Sequence, residues 1–460
     1  MSQRKTRVIA IIVALTTASL VLAGCSGTNS STSDSDALST ANAKGNVSYW
    51  LWDNNQLPAY QDCAKAFHSE NPQINVTVSQ YAWNDYWTKI TTGFASGTAP
   101  DVFTDHISMF PQFVKDHQIV PLDSLVTANH INLDQYQPGL ADLWVAKDGH
   151  RYGLPKDFDT TAYFYNKTKI EAGGVSTSQL DSMTWNPQNG GTLEKIIAHL
   201  TVDDNGVRGD QAGFDPKHVA VYGLGLDGGS GGGVGQTQWA PYALSLGNWS
   251  YMNKATWGTQ FNYDKPQFQK MITWFSGLIK KGYMPSLAAV TNQDSVSLLA
   301  AGKYAMLLQG DWVSQEASQD MGSTLGFAPT PVGPSGKRAS MFNGLADSIW
   351  AGSKNKPAAA KWVEYLASSQ CQDIVAEHAV VFPAIKTATT KAEAAFAAKG
   401  LDMEPFLTHV KNHTTALYPL SENGSKITTI MQPAMDAVFS FTQLASSLTD
   451  ANTQVNALFQ

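Results

Sequence analysis

Between residues 46 and 103 the chain alternates strand and helix signals, and this order limits the fold more than any other feature. Residues 46–52 (NVSYWLW) alternate in polarity and are rich in β-formers, so they read as a strand. Residues 58–69 follow as a helix with Tyr60, Cys63, Ala64 and Phe67 on one face. Residues 74–79 (INVTVS) form a second strand. Residues 85–94 form a second helix, with Tyr86, Ile90 and Phe94 on one side, and residues 100–103 a third strand. A β-α-β-α-β order selects a doubly wound α/β lobe. The alternation continues with strands at 219–224 and 304–308 and helices at 267–281, 296–301 and 357–371. With domains of roughly 150 residues, a chain of 460 holds two or three.

The N-terminus sets the compartment. Arg4, Lys5 and Arg7 precede an apolar run at 8–21, interrupted by Thr16, Thr17 and Ser19. A membrane span needs about 20 apolar residues, so the run reads as an export signal. It ends Leu22-Ala23-Gly24-Cys25, which resembles the bacterial lipobox, whose cysteine receives a diacylglycerol group. Residues 1–24 are then a lipoprotein signal peptide and Cys25 the lipidation site; the plain alternative is an ordinary signal with a chance cysteine. Residues 25–45 are rich in Ser, Thr, Asn and Asp and read as a flexible tether. The expected location is extracytoplasmic, anchored to the cell membrane by lipid without spanning it. Cys63 and Cys371 either pair, as an exported protein permits, or stay as unpaired core residues. Spacing leaves both open.

Charge and motifs remove several functions. The formal charge is −7, and taking Arg4, Lys5 and Arg7 from the 31 basic residues leaves 28 against 38 acidic. Such a surface repels phosphate backbones, so no nucleic-acid partner is expected. Residues 223–235 (GLGLDGGSGGGVG) contain GxGxxG at Gly223, Gly225 and Gly228. A dinucleotide site needs a helix start there and an acidic residue about 20 positions on; neither is present, and the stretch reads as a flexible loop. His409 and His413 are spaced for one helix face but have no third ligand, so no metal is expected, and no cofactor.

The chemistry gathers in polar-aromatic patches at predicted strand ends, where open α/β sheets bind ligands. They comprise Trp52, Asp53 and Asn54; Trp83; Asp105 and His106; Asp157 and Asp159; Trp239; Asp311 and Trp312; and Asn343 and Gly344. Aromatic rings stack on the C–H faces of a sugar, while carboxylates and amides bond its hydroxyls. Each patch also has a structural reading. Asp53 caps the next helix, one of Trp50 and Trp52 packs in the core, Trp312 is a core aromatic, His106 serves its loop, and Asp157 and Asp159 hold a turn.

Four segments carry a resemblance: Gly97-Thr98-Ala99-Pro100-Asp101-Val102; Tyr152-Gly153-Leu154-Pro155 with Tyr165-Asn166-Lys167; Ala301-Gly302-Lys303-Tyr304-Ala305-Met306 with Gly310-Asp311-Trp312; and Phe382-Pro383-Ala384. In this order the chain resembles the extracellular sugar-binding proteins of ABC importers, the maltose- and multiple-sugar-binding class. The resemblance implies two α/β lobes of periplasmic-binding-protein type, with a hinge and an inter-lobe ligand cleft. It implies lobe segments at 46–158 and 332–383 for one lobe, and 159–331 and 384–460 for the other. Asp53, Asn54, Asp105, His106, Asp159, Trp312, Asn343 and Gly344 match cleft segments; Trp83 and Trp239 fall near them. The glycine-rich insert departs from the family pattern and is expected at the cleft rim. The implied function is capture of an oligosaccharide and delivery to ABC permease subunits, by a monomer without catalysis. The rivals are binding of a non-sugar solute and a secreted glycoside hydrolase. Asp157 and Asp159, two residues apart, are poorly placed to flank a glycosidic bond from opposite faces.

Overall fold

A computed structural model describes residues Leu38–Gln460. The expected signal peptide, Cys25 and the first part of the tether lie outside the described residues. The end of the expected tether is not free: Leu38 is buried among Val47, Tyr49 and Tyr60, and its amide donates to Ser124 Oγ at 3.0 Å. An apolar side chain in an otherwise polar stretch finds cover there.

Among the described residues, twelve strands form two sheets. β1 (Gly45–Leu51), β2 (Ile74–Gln80) and β3 (Val102–His106) are followed by β4 (Leu154–Asp159) and β5 (Thr161–Asn166). β6 (Val202–Asp203), β7 (Val219–Leu224), β8 (Tyr304–Gly310) and β9 (Leu325–Ala328) come next, then β10 (Ser340–Ile349), β11 (Phe382–Pro383) and β12 (Thr415–Leu417). The first sheet runs β11-β4-β10-β3-β1-β2, with β12 beside β10; the second runs β6-β7-β8-β5-β9. β1 is parallel to both β2 and β3, as the βαβ pattern requires, and β10 enters antiparallel between β3 and β4.

The first helix, Leu57–Glu70, buries Ala59, Tyr60, Cys63, Ala64 and Phe67, the face predicted from periodicity. The predicted helix at 357–371 is two helices, Lys356–Leu366 and Ser369–His378. The chain breaks at Ser368, whose extended backbone (φ −91°, ψ 162°) begins the second.

The sheets are joined tightly. One residue, Thr160, separates β4 of the first sheet from β5 of the second. Its amide donates to Asp311 Oδ1 (2.9 Å) and its hydroxyl to the Phe406 carbonyl (3.0 Å). The Thr161 amide donates to Ser340 Oγ, at the start of β10 where the chain returns. The last crossing comes later than residue 384. Phe396 of the helix Lys386–Ala398 packs on Phe382, and β12 pairs with β10. The helix Glu404–Lys411 then packs Phe406 on Phe164 of β5 and Phe327 of β9, and the helix Gly424–Phe439 inserts Ile427, Met431, Met435 and Phe439 into the core of the second sheet. The buried face of 386–398 matches the first lobe, which overrides the motif-based boundary.

Cys63 and Cys371 form a disulfide between the helices Leu57–Glu70 and Ser369–His378, both ends fully buried. Closing so long a loop restricts the unfolded chain, worth about 2–5 kcal/mol. Reduction, or Cys63→Ala with Cys371→Ala, is expected to lower unfolding free energy by this amount; urea denaturation of both forms measures it.

Candidate functional site

The carboxyl ends of β1, β3 and β4 in one sheet, and of β7 and β8 in the other, send loops to a shared cavity of about 970 Å³. From the first sheet come Trp52, Asp53, Asn54 and Gln56 after β1, Trp83 at the start of the helix Trp83–Ser96, and His106 and Ser108 around the end of β3. Asp157 and Asp159 on β4, Asn343 on β10 and Tyr418 after β12 complete that side. The other side carries the loop following β7, with Asp227, Gly229, Gly235 and Gln236, then Gln309, Trp312, Glu316 and Gln432.

One wall is aromatic. Trp52 meets Trp83 edge-on with ring centroids 5.0 Å apart, Trp83 lies 5.4 Å from His106, and His106 lies 5.6 Å from Tyr418. Trp83 is 44% exposed, an unusual share for a tryptophan in a packed cluster, so its face is open to the cavity. Trp50 packs on Tyr81 instead, while Trp52, just beyond the end of β1 where the strand geometry no longer holds, lines the cavity. Across from this wall, Trp312 lies flat against Gly310. A Cβ at Gly310 would sit 1.8 Å from the Trp312 ring. Trp312 follows the second sheet yet packs against the core of the first.

The polar groups are largely buried. Asp159 Oδ1 accepts from Gln236 Nε2 (2.7 Å) and Oδ2 from Asn343 Nδ2 (3.1 Å), so one carboxyl ties the β7 loop to β10. Burial raises its pKa well above the ordinary range, and nearby Asp311 and Asp157 add to this. Burial also pushes Asp157 up to about 7 and His106 down to about 3. His106 is therefore neutral, with its Nε2 2.9 Å from Asn343 Nδ2 and its Nδ1 accepting from the Ser108 amide. Asp53 accepts from the Asn55 amide and Gln56 Nε2; the following helix has Gln56 at its N-cap, so Asp53 shapes the loop and does not cap. Asp157 Oδ2 and Asn343 Oδ1 are buried in the cavity wall without a partner among the described residues. Such atoms are rare because desolvation without a bond costs about 1–3 kcal/mol.

The glycine-rich loop is held, not free. Ser230 Oγ donates to Asp436, Gln432 Nε2 donates to Ser230 and Asp436, and Tyr263 donates to the Gly233 carbonyl. Its glycines bring backbone against the cavity; Gly231 and Gly235 have positive φ and press on Trp239.

Four expected site residues do not line the cavity. Asp105 and Gly344 alternate with His106 and Asn343 along their strands, so they face the other side of the sheet. Asp105 accepts from Ser348 Oγ inside the lobe, and Gly344 lies near Leu140. Trp239 is fully buried under the glycine loop, its Nε1 donating to the Ser230 carbonyl. Asp311 holds the crossing amide of Thr160. His409 is buried against Thr330 and Thr414, and His413 lies beyond the helix Glu404–Lys411, so the two share no helix face.

A family model described as bacterial extracellular solute-binding protein matches residues 53–373. The chain belongs to this family. A maltooligosaccharide ABC transporter solute-binding lipoprotein of Streptococcus pneumoniae is 24% identical, covering 99% of this chain and 96% of that one. A putative binding protein of Brucella abortus is 25% identical over 67% of this chain and 68% of its own. Among solved structures, an ABC substrate-binding protein of Listeria monocytogenes in complex with cycloalternan superposes with a TM-score of 0.75 at 20% identity, covering 90% of this chain and 99% of that one. The GacH receptor of Streptomyces glaucescens gives 0.71 at 19%, with 90% and 97% covered. The fold is thus the two-lobed α/β fold of these binding proteins, and the solute-binding protein family is not an enzyme family. Among the described residues no helix is long and apolar enough to cross a membrane.

Several cavity residues of this solute-binding protein escaped the sequence reading. Gln236 and Asp227 flank the glycine run and were legible as polar groups on a predicted rim loop. Tyr418 and Gln432 carry no local signal; they reach the cavity only through the late crossing.

Asp105 yields a test of the burial argument. Burial, helped by the Asp347 charge, raises its pKa to about 8. The folded state then holds a proton that the unfolded state releases near pH 4, so stability falls as pH rises from about 4 through 8. Asp105→Asn, which keeps the neutral shape, is expected to be more stable than wild type at pH 9 by at least about 1 kcal/mol. The gap should shrink toward pH 4 in urea titrations.

Proposed function

We propose that the protein binds an oligosaccharide outside the membrane and delivers it to an ABC transporter permease. The observation that carries this reading is a cavity shared by two sheets, with aromatic faces beside carboxyl and amide side chains. Trp83 and Trp312 offer rings to pyranose C–H faces. Asn54, Gln236 and Gln238 bond ligand hydroxyls along the cleft. The sugar-binding site thus comprises Trp52, Asp53, Asn54, Trp83, His106, Asp157, Asp159, Trp312 and Asn343. The names of the pneumococcal and Listeria relatives support a saccharide ligand.

The action is capture, with no bond made or broken. Ligand touching both lobes favours the closed form in proportion to its extra contacts there. The lobes divide at Thr160 and at the return before β10. A monomer held by lipid at Cys25, after loss of residues 1–24, presents the closed form to the permease.

Calorimetry across gluco-, galacto- and xylo-oligosaccharides is expected to find micromolar or tighter binding, with a change in tryptophan fluorescence. Silence in both measurements across the panel overturns the reading. Gly310→Ala, which displaces the Trp312 ring, is expected to weaken binding about tenfold, or ~1.4 kcal/mol. Its melting temperature should stay near that of wild type.

A further inference from the structure

The fold accounts for every glycine of the run 223–235 except one. Gly228, Gly231, Gly232 and Gly235 have positive φ, which favours glycine. A Cβ at Gly223 would stand 2.0 Å from the Ile197 carbonyl oxygen, at Gly225 2.4 Å from the Tyr304 ring, and at Gly233 3.1 Å from Tyr263 Oη. Gly229 meets neither condition. Its φ is not positive, and a Cβ there would have no protein atom within 4 Å. Among the described residues only Gly277, inside the helix Pro266–Lys280, is equally unconstrained. Glycine where alanine would fit costs stability, because it leaves the unfolded chain more freedom to lose.

Gly229 is also pinned. Its amide donates to the Asp227 carbonyl (2.6 Å), which accepts in addition from Gln238 Nε2 (2.8 Å). The Asp227 carboxylate accepts from Thr237 Oγ1 (2.7 Å) and Ser295 Oγ (2.6 Å). On the other side Ser230 is bonded to Asp436 and Gln432. A side chain at 229 would therefore stay where the backbone puts it. The residue lines the cavity half-buried, next to the exposed Gly228, so it stands at the mouth, whereas Asp159 and Asn343 are buried deeper in.

We propose, resting on the saccharide reading above, that the missing side chain at Gly229 is room for the ligand. The outer units of an extended oligosaccharide pass over this backbone, so Gly229 sets the length of chain that the cleft accepts. A larger group at 229 takes the space of those outer units and leaves the inner positions, near Trp312 and Asn343, unchanged.

The test is calorimetry with the malto-, cello-, β-1,4-galacto- and xylo-oligosaccharides, each from disaccharide to pentasaccharide, on wild type, Gly229→Ala and Gly229→Leu. In at least one series wild type is expected to bind several lengths, trisaccharides and longer among them. Gly229→Leu is expected to weaken the longest by about tenfold or more and the shortest by less than about twofold, with Gly229→Ala between it and wild type. Melting temperatures of both variants should equal or slightly exceed that of wild type, which excludes misfolding as the cause. Three results overturn the inference and leave the saccharide reading intact: wild-type affinity of Gly229→Leu for the longest chain, equal weakening of short and long chains, or a wild type that accepts one length alone or nothing beyond a disaccharide. Failure of wild type to bind any sugar of the four series overturns both.

Discussion

The Asp159 carboxyl sits where the two sheets part, and its bonds decide how the cleft is built. Asn343 reaches it from the return strand of the first sheet and Gln236 from the loop of the second. A buried carboxyl is costly unless its oxygens are bonded, and removing a partner costs about 1–3 kcal/mol. The bond to Gln236 fixes where the glycine-rich loop approaches, and the bond to Asn343 turns that amide so that its Nδ2 also lies beside His106 Nε2. One residue further on, the Thr160 amide is held by Asp311. Crossing, floor and rim are therefore parts of one hydrogen-bonded unit.

The first two strands and two helices were legible because each has one apolar face, the condition under which periodicity speaks. β4 was not. Its sequence LPKDFD is buried on both faces, yet carries two Asp and a Lys, so it reads as a polar loop. Those charges find partners only across the fold, Lys156 with Tyr49, Thr104 and Asp347, and Asp159 with Gln236 and Asn343. β10 is hidden in the same way, being buried along its whole length between strands from distant segments.

The site was legible as a set of residue types and less so as positions. Trp52, Asp53, Trp83, His106, Asp157, Asp159, Trp312 and Asn343 all line the cavity. The residues that miss it are mostly immediate neighbours of ones that do: Asp105 beside His106, Gly344 beside Asn343, Asp311 beside Trp312. A patch read as a block assigns both neighbours to the ligand, while a strand sends one of each of the first two pairs to the opposite face, and the tight turn Asp311–Val313 separates the third. Trp239 differs, since its ring supports the glycine loop from below and shapes the rim without touching the cavity.

The link between Cys63 and Cys371 spans 308 positions, and nearly the whole second sheet is threaded between them. Synthesis runs from the N-terminus, so Cys63 waits as a free thiol while the intervening segment arrives. Oxidation can lock the first half only after the other half has had time to organise. The covalent seal is thus a late event that certifies a chain already delivered almost in full.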